Sequence, residues 1–123
     1  MNGAAVARFL YLTIDANDAD RVARFWAELL GTEVDAVWEE GQFVFLKGRE
    51  GLPVLCVQRV PESKTSKNRI HIDLSVVDLE EATTRIVGLG GSWDGTELAL
   101  PGVVWRTLRD PEGNEFDIAV GEA

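Results

Sequence analysis

The sequence predicts an α+β fold made of two copies of a strand-helix-strand-strand-strand unit. The same order of apolar periodicities occurs twice, the second copy follows the first at an offset of 60 residues, and 123 residues suit one domain. A unit this short cannot bury its own apolar face, so the two copies must pack or pair together. We expect each sheet to carry a helix on one face and to curl around a cleft on the other.

We assign residues 1–123 to a single domain with two modules. Module 1 covers about 8–60 and module 2 about 69–120. The polar segment 61–68 between them is expected to be a connecting loop.

Module 1 opens with a strand over residues 9–14, in which apolar and polar positions alternate. A helix follows, because apolar residues recur at helical spacing between a capping Asn17 or Asp18 and the terminating Gly31. Three strands complete the module, at residues 33–38, 42–47 and 53–59.

Module 2 opens with a strand over residues 68–76 that holds the only histidine of the chain, His71. Alternation puts His71 and Asp73 on the polar face of this strand. Asp78 is expected to cap the second helix, which glycines terminate after Leu89. Three further strands are expected at 92–94, 103–109 and 115–120, with a loop at 98–102 and a hairpin turn at 110–114.

Composition excludes several classes of protein. The formal net charge of −9 argues against binding to nucleic acid or to anionic membranes. It would attract a cationic ligand over long range, but solubility is the simpler reason for the acidic excess. A single cysteine, Cys56, permits no disulfide within the chain. Since no signal peptide or membrane-spanning run is evident, we expect a soluble cytoplasmic protein.

The repeat also places polar residues in register. Tyr11 and His71 are equivalent, and Gln58 and Asp117 occupy similar places in the last strand of each module. If equivalent strands face one cleft, these four side chains converge in it. A neutral imidazole with hard oxygen donors suits a divalent ion such as Fe, Mn, Zn or Ni.

Each of these residues has a simpler interpretation. His71 is either a metal ligand or acid–base residue, or a strand histidine that is hydrogen-bonded to Asp73 or Asp117. Asp117 is either part of the cavity or a solvated carboxylate at a strand end. Tyr11 fits a cavity wall better than a catalytic role.

Four segments together resemble the vicinal oxygen chelate superfamily, which includes glyoxalases, extradiol dioxygenases and bleomycin- and fosfomycin-resistance proteins. They are residues 18–31, 69–74 with Asp78-Leu79, the turn 110–114, and the run 61–69, which is similar to an actinobacterial glyoxalase-like subgroup. The resemblance covers nearly the whole chain. It implies paired βαβββ modules that form a U-shaped sheet around a cleft.

In metal-using members, strands one and five each supply a histidine, the last strand supplies a glutamate, and glyoxalases add a ligand from strand four. The resemblance places these roles on Tyr11, His71, Asp117 and Gln58. Only His71 matches outright, Asp117 is one methylene shorter, and a neutral phenol with a reference pKa of about 10 is a poor metal ligand.

We therefore expect a glyoxalase- or bleomycin-resistance-like protein that binds a small organic molecule and forms a homodimer. The alternative is a metal-dependent lyase, isomerase or dioxygenase that acts on vicinal oxygens, with a divalent ion (Ni, Zn, Mn or Fe) at His71, Asp117 and Gln58. No catalytic residue is assigned. The expected ligand-binding residues are Tyr11, Phe45, Gln58, His71, Asp73, Trp105 and Asp117.

Overall fold

The computed structural model describes residue 3 and residues 5–121. The ends of the predicted single domain, residues 1, 2, 4, 122 and 123, lie outside the described residues. No helix in the described part of the chain is long and apolar enough to cross a membrane.

The α+β prediction of two βαβββ modules is confirmed. Module 1 contains β1 (Leu12–Ala16), α1 (Ala19–Leu30), β2 (Val34–Trp38), β3 (Phe43–Leu46) and β4 (Leu55–Arg59). Module 2 contains β5 (Asp73–Ser75), α2 (Leu79–Gly88), β6 (Ser92–Leu100), β7 (Val103–Arg109) and β8 (Glu115–Gly121).

The strands form two four-stranded sheets with matching orders. They run β1-β4-β3-β2 in module 1 and β5-β8-β7-β6 in module 2. The first strand of each module pairs in parallel with the last, and the other pairs are antiparallel. This order makes β1 and β5 outer strands.

Helix α1 forms the middle of the core. Asp18 caps it by accepting a hydrogen bond from the Arg21 backbone N–H, and Gly31 ends it at a positive φ of 68°. Its largest buried side chain, Trp26, is 1% exposed, and its ring centroid lies 4.9 Å from that of Phe116 in module 2. One helix therefore packs against both modules.

The turn between β7 and β8 also joins the modules. The Glu112 carboxylate accepts hydrogen bonds from the backbone N–H groups of Asn17 (2.5 Å) and Asp18 (2.6 Å) at the start of α1. The buried Asp110 carboxylate accepts one from the indole N–H of Trp26 (3.1 Å). These contacts fix the start of β8 relative to α1.

Three predicted strands differ from the structure by three residues or more at one end. β1 starts at Leu12, where its pairing with β4 begins, so residues 9–11 precede the strand. β5 is only three residues long, and in the segment before it the Asn68 backbone N–H donates to the Glu115 side chain. The loop predicted at 98–102 is wrong: β6 continues to Leu100 and turns at Pro101-Gly102, where Gly102 has a φ of +88°.

Candidate functional site

Three ionisable side chains meet on the cleft face of module 2. Asp73 on β5 and Thr107 on β7 are both paired with Asp117 on β8, and cross-strand partners share a face. His71 lies two residues before Asp73 and points to the same side. Its Nδ1 is 3.0 Å from Asp73 Oδ1 and 3.7 Å from Asp117 Oδ2.

The three side chains are held to different degrees. The Asp117 side chain is 13% exposed, and its Oδ1 accepts a hydrogen bond of 2.7 Å from the Thr107 hydroxyl. The side chains of His71 and Asp73 are 38% and 66% exposed. Asp117 is therefore the fixed member, and Asp73 has the most room to adjust.

This donor set fits a divalent ion. One ligand atom from each of His71, Asp73 and Asp117 can be chosen so that all three lie within 4.8 Å of one another. Donors bound to one ion at about 2.1 Å lie about 3.0 Å apart at right angles and about 3.4 Å apart at the tetrahedral angle. An imidazole with two carboxylates suits Mn, Fe, Ni or Zn.

The cleft face of module 1 is aromatic. Strand register puts Thr13, Phe45 and Cys56 on one face, with Gln58 beside Phe43. The ring centroid of Phe45 lies 5.1 Å from that of Tyr11 and 4.9 Å from that of Trp38. A cavity of about 240 Å³ is lined by Tyr11, Thr13, Trp38, Phe43, Phe45, Cys56 and Gln58.

The Cys56 thiol in this aromatic cavity is poorly suited to act as a nucleophile. Burial raises its pKa above the ordinary value, and hydrogen bonds from Thr13 and Val44 offset this only in part. A thiol with a raised pKa stays protonated near neutral pH, so it contributes an apolar surface to the cavity.

A groove of about 400 Å³ separates the outer edges of β1 and β5. Residues 12–15 line one side and residues 68–72, which include His71, line the other. Trp26 also lines it. Thr13 lines both this groove and the aromatic cavity, so the two spaces adjoin at β1.

An ion pair beside the groove anchors the connecting loop. The Lys64 ammonium lies 3.0 Å from the buried Glu115 carboxylate. Burial raises the pKa of Glu115, but hydrogen bonds from the Asn68 N–H and Lys64 outweigh it and hold the pKa below its usual value. The Lys64 ammonium therefore stabilises the connecting loop through its ion pair with Glu115.

The predicted site residues fall into two groups. Tyr11, Phe45 and Gln58 line the aromatic cavity, whereas His71, Asp73 and Asp117 form the charged group. Trp105 lies two residues before Thr107 on β7 and so shares the face of the charged group.

Sequence reasoning named Asp73 as a ligand-binding residue but did not include it in the metal set. The sequence did contain an indication of this role, because His71 and Asp73 are both metal-ligating residue types and lie two positions apart on one face. Thr107 was missed altogether, because only the pairing of β7 with β8 places it opposite Asp117.

Comparison with known proteins identifies a family and a fold. The sequence model of a family described as a glyoxalase-like domain matches residues 11–119. No curated protein matches the chain significantly.

Solved structures from three bacteria share the fold at low sequence identity. The fosfomycin resistance protein FosX from Listeria monocytogenes is 17% identical, with a TM-score of 0.73 over 96% of each chain. A lactoylglutathione lyase from Agrobacterium tumefaciens is 21% identical, with a TM-score of 0.63 over 95% of this chain and 96% of that one. A glyoxalase/bleomycin resistance protein/dioxygenase family enzyme from Burkholderia phytofirmans is 19% identical, with a TM-score of 0.66 over 91% and 97%.

Proposed function

The chain belongs to the glyoxalase-like domain family, and from this premise we propose that it binds a small organic molecule in the aromatic cavity of module 1. The observation that carries the proposal is the convergence of Tyr11, Trp38, Phe43 and Phe45 around one space with a single amide, Gln58. Ligand pockets are mostly apolar with few polar groups that fix orientation.

The size of the cavity limits the ligand. A volume of about 240 Å³ is just below the ~300–1,000 Å³ of typical small-molecule pockets. A dry cavity of about 150 Å³ already accepts benzene. The cavity therefore suits one or two rings, with the remainder of a larger ligand extending out of it.

Charge favours a cationic ligand. The net charge of −9 attracts cations over long range, and aromatic faces attract them at short range. A protein with this cavity would sequester a basic aromatic compound, in the manner that the bleomycin-resistance resemblance implies.

Calorimetric titration with benzamidine and with its neutral counterpart benzamide tests the proposal. We expect benzamidine to bind more tightly, and Phe45→Ala to weaken its binding at least about tenfold through loss of ring contacts. Phe9→Ala, which removes an exposed ring outside the cavity lining, is the matched control and should change nothing. Failure of both probes to bind at millimolar concentration, or equal binding to Phe45→Ala, contradicts the proposal.

A second function is favoured by the charged group of module 2. In this alternative the chain is a metal-dependent lyase, isomerase or dioxygenase that acts on a substrate with vicinal oxygens. His71 and Asp117 would hold a divalent ion, with Gln58 as the further ligand that the family resemblance implies. The ion, when bound, polarises substrate oxygens.

Elemental analysis separates the two functions. Protein purified without chelator or added metal should carry Ni, Zn, Mn or Fe if the second function is correct. Less than about a tenth of an equivalent would count against it, because a site of high affinity keeps its ion when no chelator is present.

Four narrower assignments accompany these proposals. We propose a homodimer, since β2 and β6 are outer strands and Leu98 and Leu100 on β6 are more than half exposed. Light scattering coupled to size exclusion would show twice the 13.5 kDa chain mass. We also propose that residues 1–123 form a single domain and that the protein is cytoplasmic. Segment 61–69 supports a place in the actinobacterial glyoxalase-like subgroup.

A further inference from the structure

Resting on the second proposed function, we propose that the metal site lies wholly within module 2, with Asp73 as its third protein ligand. The ligand set is then His71, Asp73 and Asp117. It differs from the set implied by the family resemblance, which draws on Tyr11 and Gln58 of module 1. Thr107 acts as a positioning residue for Asp117.

Strand geometry supports this set. His71 lies two residues before Asp73, the first residue of β5, and Asp117 is the register partner of Asp73 on β8. The distances from His71 Nδ1, 3.0 Å to Asp73 and 3.7 Å to Asp117, bracket the separation of about 3.0–3.4 Å between neighbouring donors on one ion.

The roles of the two carboxylates follow from their surroundings. Thr107 occupies Asp117 Oδ1, which leaves Oδ2, the atom nearer to His71, directed at the ion. Asp73 is mostly exposed, and its Oδ1 lies in hydrogen-bond contact with His71 Nδ1, so an ion would take the place of that contact. One fixed and one adjustable carboxylate supply two negative charges beside a neutral imidazole, which suits a divalent ion.

Module 1 offers a weaker set of donors. At the offset of 60 residues, Tyr11 and Thr13 stand where module 2 has His71 and Asp73. Both hydroxyls are neutral, and Tyr11 and Gln58 line the aromatic cavity. Asp73 therefore compensates, within its own module, for the histidine that β1 lacks.

Titration of metal-free protein with Ni²⁺, Mn²⁺ and Zn²⁺ tests the ligand set without an activity assay. We expect Asp73→Asn to raise Kd at least about 100-fold, because it replaces an anionic donor with a neutral one. Asp35→Asn, which removes an exposed carboxylate on β2, is the matched control. Gln58→Ala should leave Kd within about twofold, and the melting temperature of each apo variant checks folding.

The single histidine provides a spectroscopic readout. Its ring protons should shift strongly when Ni²⁺ or Co²⁺ is added, and Asp73→Asn should abolish the shift at equal metal concentration. Thr107→Val should weaken binding about 10-fold by freeing Asp117, and Thr107→Ser should restore it. A merely structural role for Thr107 would lower the melting temperature and leave Kd unchanged.

The outcomes separate this inference from the function on which it rests. Wild-type protein that binds no ion at millimolar concentration overturns both. Metal binding that survives Asp73→Asn but is lost in Gln58→Ala overturns the inference alone and supports the set implied by the resemblance. Loss in Asp73→Asn with retention in Gln58→Ala is the expected result.

Discussion

At positions related by the 60-residue offset, the cleft face of module 1 carries Tyr11 and Thr13, whereas that of module 2 carries His71 and Asp73. Thr13 and Asp73 stand on the outer strand that pairs in parallel with the last strand of its module, and Tyr11 and His71 lie two residues before them. The scaffold is therefore the same, but one face is aromatic and neutral and the other is charged. Side chains on a cleft face are free to diverge, because the helices pack on the opposite face of each sheet.

The helices differ in the same way. Trp26 on α1 and Ile86 on α2 are equivalent and fully buried. Yet α1 buries six residues and α2 only two, because α1 packs against its own sheet and also reaches Phe116 and Asp110. Module 1 thus contributes most of the shared core, and module 2 contributes the charged chemistry.

The largest expected difference between the modules is in the stability lost when each of the two equivalent core residues, Trp26 and Ile86, is truncated to alanine. We expect Trp26→Ala to lower the free energy of unfolding by about 3–5 kcal/mol, since it leaves a large cavity and removes a hydrogen bond to Asp110. Ile86→Ala should cost about 2–3 kcal/mol. Urea unfolding followed by circular dichroism measures both, and Trp26→Phe is a milder variant should Trp26→Ala not fold. A loss for Trp26→Ala no larger than that for Ile86→Ala would contradict the greater contribution of α1 to the stability of the core.

The turn between β7 and β8 should also stabilise the contact between the two modules, but by less than Trp26 does. Glu112→Ala removes two charge-assisted hydrogen bonds to the start of α1 and should cost about 1–2 kcal/mol. Glu50→Ala, in the corresponding loop of module 1, should stay within about 0.5 kcal/mol of wild type. Thermal melts of the three proteins suffice, and indistinguishable melting temperatures would rule out this role for Glu112.

The reactivity of Cys56 tests whether the aromatic cavity of module 1 is closed to reagents, and its measurement requires no substitution. Because burial raises the pKa of this thiol, its thiolate fraction at pH 8 is below that of an exposed cysteine. Alkylation by iodoacetamide should therefore be slow in folded protein and should accelerate at higher pH and in urea. Mass spectrometry gives the rates. Native labelling as fast as that in urea would show that the cavity is open to reagents.

Patterns within single elements were predictable from the sequence. Helical spacing placed α1 and α2, and Asp18, Asp78 and Gly31 have the capping geometry expected of them. The later half of β6 was not predictable in this way, because its strand state depends on pairing with residues 103–106 of β7. Pro101 and Gly102 suggested a loop over residues 98–102, but hydrogen bonding to β7 keeps residues 98–100 in the strand.

The sequence by itself determined the duplicated architecture and the chemical types at the site, since alternation and helical spacing are encoded within a few neighbouring residues. It also put His71 and Asp73 on one face. The repeat predicted that Asp117 reaches the same cleft, but only the tertiary structure decided that Thr107 holds it there and that Tyr11 and Gln58 line the adjoining aromatic cavity. Those placements depend on the register of β8 with β5, which lies far away in the sequence, and with β7, which precedes it in a hairpin. Hydrogen bonding in the folded sheet sets that register.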